Sequence, residues 1–228
     1  MAKKINHLAI IMDGNRRWAK REGLKSYQGH HEGRKQVERV VKWCKEFDIK
    51  VLTLYAFSAE NWQRPKMEVD YLMKAFIEAF QNDILKLHEE KIKVNVFGRV
   101  SHLSKKLQSA INKAIELTKN NKDGTLNLCI NYSGRLEIVD AVNDLIKNKG
   151  QKKSINEKDI EKYLYSKGIA DPDLIIRTSG ERRLSGFLLW QAAYSELLFV
   201  DKFWPEFSKD DFKKAINCFY HRKRRFGC

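Results

Sequence analysis

Cysteine and proline are scarce in this 228-residue chain, with four of the first and three of the second. The cysteines (Cys44, Cys129, Cys218, Cys228) lie far apart, with no C-x-x-C pair, which argues against a disulfide framework and for reduced thiols. Cys228 is the last residue rather than the fourth from the end, so there is no prenylation box. No apolar run approaches the roughly 20 residues of a membrane span, and the stretch before Asp13 is too short for a secretory signal. Also missing are the G-x-x-x-x-G-K-[ST] loop of nucleotide binders, the G-x-G-x-x-G turn of dinucleotide folds and the H-E-x-x-H pair of zinc enzymes. These absences argue against ATP, dinucleotides and zinc, and suggest a cytoplasmic protein.

Positive charge is abundant. Forty-four Lys and Arg against 29 Asp and Glu give +15, an excess that suits a polyanionic partner: nucleic acid, anionic lipid or a phosphorylated small molecule. Composition alone favours nucleic acid. With 43% hydrophobic residues and no low-complexity linker, the chain reads as one domain, residues 1–228, with a sizeable core.

Apolar runs alternate with helical periodicity. Strands are predicted at Leu8–Met12, Lys50–Phe57, Ile92–Phe97, Thr125–Asn131, Leu174–Ile176 and Leu197–Val200. Helices are predicted at Tyr27–Phe47, from Pro65 to about Glu90, and at Leu103–Leu117, Leu136–Ile146 and Asp210–Arg222. The alternation implies an α/β fold with a mostly parallel central sheet flanked by helices. Ligands in such sheets sit beyond the carboxyl ends of the strands. Four strand exits there are unusually polar: "DGNRRW" from Asp13, "SAENWQR" from Ser58, "NYSGR" from Asn131 and "RTSGERRLSG" from Arg177. Together they hold seven arginines. Guanidiniums grip phosphate oxygens in pairs, and small residues let backbone N–H groups approach an anion. A duplex binder would instead show a basic stripe with stacking aromatics. The loops therefore favour a metal-assisted diphosphate site over nucleic acid.

An Asp before Gly is ordinarily a turn residue, but Arg16 and Arg17 beside Asp13 make an anion site plausible, with the carboxylate available to Mg²⁺. His30 is either a solvated histidine at a helix end or a donor to phosphate at the helix N-terminus. The apolar stripe from Val69 to Leu87 is either ordinary core or the wall of a tunnel for a long hydrocarbon. The tail "HRKRRFGC" is a solvated basic terminus, a lure for anionic lipid, or a segment that reaches into a site.

The stretches "HLAIIMDGNRRWAK", "LTLYAFSAENWQRP" and "LIIRTSGERRLSGFLLWQAAYSELLF" stand in the order and at the spacing of signatures found in the cis-prenyltransferases. The chain resembles that family from His7 to Gly227, and most closely its bacterial undecaprenyl diphosphate synthases. The resemblance implies a Mg²⁺-dependent homodimer with an apolar product tunnel. Such an enzyme condenses isopentenyl diphosphate onto farnesyl diphosphate to build undecaprenyl diphosphate (C55), the lipid carrier precursor for cell-wall polysaccharide, or a shorter cis-polyprenyl product. It implies that Asp13 and Glu196 hold the metal and that Gly14, Asn15, Arg16, Arg17, Trp18 and His30 take the allylic diphosphate. Arg177, Arg183, Leu184 and Ser185 take the diphosphate of isopentenyl diphosphate. Ser58, Ala59, Glu60, Trp62 and Arg64 line the boundary between the substrates, and Asn61 is the proton acceptor that removes the C2 proton. A neutral amide is a poor base, so chemistry favours Asn61 positioning that proton for diphosphate or water to take. Arg225 and Gly227 match a C-terminal motif that reaches the partner's site. The same resemblance places the protein in the cytoplasm, in peripheral contact with the inner membrane face, and leaves no role for nucleic acid. Five departures stand out: Arg16, Ser133 and Ser179 replace the family's glycines, Ser26 replaces an arginine beside Lys25, and Arg99 stands after Gly98 where an aspartate is usual. A non-catalytic partner subunit is a poor reading, because those proteins lose the Asp-Gly-Asn loop kept here.

Overall fold

The computed structural model describes residues 4–149 and 154–222. The chain starts with β1 (His7–Ile11), α1 (Asn15–Arg21), α2 (Ser26–Glu46), β2 (Val51–Ser58) and a 3₁₀ turn at Ala59–Gln63. Next come α3 (Lys66–Glu78), a π-turn at Ala79–Asp83 and α4 (Ile84–Glu89), followed by β3 (Ile92–Phe97), α5 (Lys105–Thr118), β4 (Gly124–Tyr132) and α6 (Gly134–Lys149). The described chain ends with α7 (Glu157–Glu161), β5 (Leu174–Arg177), β6 (Glu196–Phe199) and α8 (Lys209–His221).

The strands form one six-stranded sheet in the order β3-β4-β2-β1-β5-β6, and every neighbouring pair is parallel. That is the expected α/β layout, and parallel throughout rather than mostly. All five residues of β1 are buried, as strands covered on both faces must be. One face packs a large cluster from Ile5 to Phe219, contributed mainly by α2, α3, α5 and α8; the other packs a smaller, aromatic one around Tyr55, Tyr132 and Phe187.

Helix starts follow local chemistry. Ser104 Oγ accepts the Leu107 N–H at 3.3 Å, and Ser208 and Asp211 form a reciprocal capping box at α8. Pro65 opens α3 as expected, but the helix reaches Glu89 only through the π-turn at residues 79–83. Two helices, α1 and α7, are absent from the sequence reading, which took "DGNRRW" as loop.

The sheet interior also carries a polar ladder across four strands. His7 Nδ1 lies 2.6 Å from the Ala170 carbonyl, and its Nε2 lies 2.7 Å from Thr53 Oγ1. Thr53 in turn accepts from Asn127 at 2.9 Å, and Asn127 accepts from Asn95 at 2.9 Å. Nδ1–H must therefore donate to the carbonyl, leaving Nε2 to accept the threonine hydroxyl. Burial lowers the His7 pKa, more than the Ala170 carbonyl and Asp173 raise it, so the ring is neutral and every link of the ladder is satisfied.

Candidate functional site

β1, β2, β4 and β5 are parallel, so their exits open at one end of the sheet and their polar loops converge there. A cleft of about 1090 Å³ lies among them, lined by Asp13, Gly14, Asn15, Arg16, Arg17, His30, Ser58, Glu60, Asn61, Arg64, Arg177 and Ser185 among others. Six cationic side chains (Arg16, Arg17, Lys20, Arg64, Arg135, Arg177) face two carboxylates, Asp13 and Glu60, across this lining. Gly14 makes the turn possible. Its φ of 103° is left-handed, and a Cβ there would lie 2.6 Å from the Phe203 ring. The turn starts α1 at Asn15, so Arg16 and Arg17 sit in a helical first turn rather than a loop.

Asp13 is held from several sides. Its N–H donates to Thr178 Oγ1 at 3.0 Å, and its carbonyl accepts from Thr178 Oγ1 at 2.7 Å and from Trp204 N at 3.0 Å. Its carboxylate accepts from Arg177 Nη2 at 2.9 Å and lies 3.1 Å from Arg17 Nη2. Burial pushes its pKa up, but the Arg177 hydrogen bond and charge, the Arg17 charge and the Ser179 hydroxyl outweigh that and bring it below the usual value. The Asp13 carboxylate thus pairs directly with the guanidiniums of Arg17 and Arg177.

Arg177 is the buried anchor. Its Nη1 donates to the Arg183 carbonyl at 2.5 Å and to Ser185 Oγ at 2.9 Å, while Nε is buried without a partner. Ser26 Oγ, also lining the cleft, is likewise buried and unpartnered. Such donors suit an anionic ligand. The Ser185 loop is braced from behind by Gly134 N–H to the Gly186 carbonyl at 2.7 Å and by Tyr55 Oη to the Ser185 carbonyl at 3.3 Å.

His30 lies in the second turn of α2, not at its N-terminus. It is buried against Glu68, 3.2 Å from Nε2. Burial, with the Arg64 and Arg16 charges, lowers its pKa despite Glu68. Glu68 also takes Arg64 at 3.0 Å and Arg16 at 3.5 Å. Sequence reasoning missed Glu68, although its i,i+4 spacing from Arg64 on the Pro65 helix was a readable signal. Arg135 and Ser133, in the expected "NYSGR" exit but given no ligand role, line the cleft as well, and Lys20 was missed altogether.

Six expected residues do not line the cleft. Trp18 is half-buried on α1, and Ala59 sits in the 3₁₀ turn. Trp62 donates from Nε1 to Asn131 at 2.7 Å. Arg183 is exposed and paired with Glu181 at 2.6 Å, offering its carbonyl to Arg177 instead of its charge to the cleft. Leu184 packs on the aromatic cluster. Glu196 opens β6 level with Leu174, whereas Asp13 lies two residues beyond Ile11, which pairs with Arg177 at the other end. About five residue steps, roughly 16 Å along the strands, separate them. Glu196 binds Arg222 at 2.9 Å instead, so one chain does not assemble the two expected metal ligands. Arg225 and Gly227 lie outside the described residues.

No group of three or more metal-ligating side chains occurs among the described residues. Asp13 alone still fits Mg²⁺, a hard ion commonly held by one or two carboxylates, with substrate phosphates and water completing its shell.

Next to the cleft lies an apolar cavity of about 380 Å³, walled by Val37, Val41, Leu72, Phe76, Phe80 and Ile84. Met12, Asn15, His30, Tyr55, Ala56 and Leu72 line both spaces, so cationic cleft and apolar cavity lie side by side and share a wall. No described helix is long and apolar enough to cross a membrane.

Comparison with known proteins agrees with this geometry. A family model described as "Putative undecaprenyl diphosphate synthase" matches residues 11–227. The isoprenyl transferase of Fusobacterium nucleatum subsp. nucleatum is 50% identical over 100% of this chain and 98% of its own length. A tritrans,polycis-undecaprenyl-diphosphate synthase (geranylgeranyl-diphosphate specific) of Pyrococcus furiosus is 48% identical, covering 97% of this chain and 86% of its own. The crystal structure of lavandulyl diphosphate synthase from Lavandula x intermedia, in complex with dimethylallyl diphosphate, superimposes with a TM-score of 0.93 at 35% identity, covering 99% of each chain.

Proposed function

Because the chain belongs to the undecaprenyl diphosphate synthase family of isoprenyl transferases, we propose that it elongates farnesyl diphosphate with isopentenyl diphosphate to undecaprenyl diphosphate, all 228 residues acting as one catalytic domain. The adjacency of cleft and cavity carries this reading: a substrate with a multiply charged head and a hydrocarbon tail needs both environments side by side. The allylic C–O bond breaks, diphosphate departs, the isopentenyl double bond attacks the allylic carbon, and a C2 proton is lost. Each turn lengthens the chain by one isoprene unit and releases diphosphate and a proton.

Gly14, Asn15, Arg16, Arg17 and His30 receive the allylic diphosphate, and Arg177 and Ser185 the isopentenyl one. Prearranged guanidiniums meet the charge that develops on the leaving group without reorganising. Mg²⁺ held by Asp13 would add Lewis-acid stabilisation of that diphosphate. Asn61 Oδ1 already accepts the Ser58 N–H at 3.2 Å, which favours a positioning role over direct proton abstraction. Glu196 can serve the metal only across a dimer. The exposed apolar face of α6, with Val139 and Ile146, offers a surface for a second copy. The cavity serves as product tunnel. We place the enzyme in the cytoplasm, in peripheral contact with the inner membrane face.

The test supplies protein, Mg²⁺ and labelled isopentenyl diphosphate with either farnesyl or geranylgeranyl diphosphate as starter, and sizes the extracted product. The expected result is a C55 product from farnesyl diphosphate. Preference for geranylgeranyl diphosphate would move the starter assignment towards the archaeal relative, and no incorporation with either would overturn the proposal.

A further inference from the structure

Met67, in the first turn of α3, is 86% exposed, the most exposed large apolar side chain among the described residues. It is not isolated. Tyr71 lies one turn further along the same helix face, and its ring packs 5.6 Å from that of Tyr27 at the start of α2. Tyr27 is itself 47% exposed, and Leu24, just before α2, is 38% exposed and lines the cleft. These four side chains make one apolar edge across the N-terminal ends of α2 and α3, the helices that wall the apolar cavity. The edge therefore borders the mouth of the site.

Its surroundings are cationic. Lys25 and Lys66 are the chain neighbours of Leu24 and Met67, Lys74 follows Tyr71 by three residues on α3, and Lys20 shares the cleft lining with Leu24; none of the four has an ion-pair partner among the described residues. The acids nearby are mostly engaged: Glu22 with Arg21 at 2.8 Å, and Glu68 inward with Arg16, His30 and Arg64. Asp70 alone opposes the four lysines. The positive ends of two helix dipoles add to the field. Exposed apolar tips ringed by free lysines are the composition of a surface that lies in the interface of an anionic bilayer.

We propose that the edge formed by Leu24, Tyr27, Met67 and Tyr71, with its four lysines, docks the protein onto anionic phospholipid. Its use, delivering a long polyprenyl product into the membrane without crossing water, rests on the proposed function; the docking itself does not.

The full chain, without substrate, is sedimented with vesicles of phosphatidylcholine alone or mixed with phosphatidylglycerol, at low and high salt. Wild type binds the mixed vesicles, and salt weakens the binding. Met67→Asp lowers partitioning by at least about tenfold, the loss expected when a buried methionine leaves the interface. Lys66→Gln and Lys74→Gln each lower it about fivefold. Ile155→Asp, at another exposed apolar site, changes nothing. Because Met67 is exposed, its variant should keep the wild-type melting temperature, and that measurement verifies folding. Failure of wild type to bind mixed vesicles overturns the proposal. So does undiminished binding by folded Met67→Asp, or a changed oligomeric state in that variant, which would make the edge a protein contact. Turnover with a short soluble allylic substrate is measured separately, so the docking surface and the reaction can fail independently.

Discussion

Asp13→Asn keeps the shape of the side chain and removes one negative charge from the centre of the cleft. In the wild type, Oδ2 accepts from Arg177 Nη2 at 2.9 Å, and the Arg177 side chain is only 6% exposed. The variant leaves that guanidinium with neutral acceptors, the Arg183 carbonyl and the Ser185 hydroxyl. A hydrogen bond to a charged partner contributes roughly 1.5–3 kcal/mol against about 1 for a neutral one. The Arg17 contact, whose arginine side chain is 44% exposed, adds under about 1 kcal/mol. The expected loss is therefore about 2 kcal/mol. It stays below the roughly 3–5 kcal/mol of a fully stranded buried charge because the asparagine oxygen still accepts. For a chain of this size that lowers Tm by about 4–8 °C. Turnover should fall by about a thousandfold or more, since the proposed Mg²⁺ and its share of leaving-group stabilisation would go with the carboxylate. The diagnostic measurement is thermal shift with inorganic diphosphate. Without metal, diphosphate should raise Tm more in Asp13→Asn, where the anion replaces the missing charge, than in wild type; with Mg²⁺ the order should reverse. Wild-type turnover in the variant, or a diphosphate response independent of both residue 13 and metal, would refute the reasoning.

Further outcomes follow from the same geometry. The lowered His7 pKa means that between its folded value and the unfolded ~6.5 the unfolded chain holds more protons. Stability should be full above about pH 6.5 and fall as the pH drops towards the folded value. His7→Asn should flatten the slope of Tm against pH there, and an unchanged slope would remove His7 from the account. Gly33 passes so close to α1 that a Cβ would lie 2.4 Å from Asn15 Oδ1 and 3.0 Å from Trp204. Gly33→Ala should cost about 1–3 kcal/mol by overpacking and raise KM for the allylic substrate; unchanged stability and KM would contradict this. Ala79 lines the apolar cavity, so Ala79→Phe should shorten the product while sparing the first condensation, and an unaltered product ladder on thin-layer chromatography would show that the growing chain runs elsewhere.

The sequence revealed much of this because short apolar runs and their polar exits are local signals. All six strands were legible within about a residue or two, and so were the four loops that meet at one end of the sheet. Most expected ligands, Asp13 and Arg177 among them, do line one cleft. What escaped notice depended on distance or conformation. α1 begins at a left-handed Gly14, and nothing in "DGNRRW" separates that turn from a loop. Glu68 acquires its meaning only when α2 brings His30 to it. Arg183 and Glu196 occur in matching motifs, yet one turns to a neighbouring carboxylate and the other starts a parallel strand at the far edge, a placement that depends on β5–β6 pairing. The charge total, which by itself favoured nucleic acid, could not show that the arginines would line a cleft beside an apolar cavity.

The ladder from His7 through Thr53 and Asn127 to Asn95 bears on how six parallel strands find one alignment. Sliding a strand by a single position turns its side chains over, and a hydrophobic core forbids that. Sliding by two keeps every face correct, so greasy contacts alone discriminate weakly against it. Here such a slip would strand an imidazole, a hydroxyl and two amides among hydrocarbon, each a loss of about 1–3 kcal/mol. Four polar groups thereby act as a combination lock on β1, β2, β4 and β3, admitting the one register in which every hydrogen bond of the ladder closes.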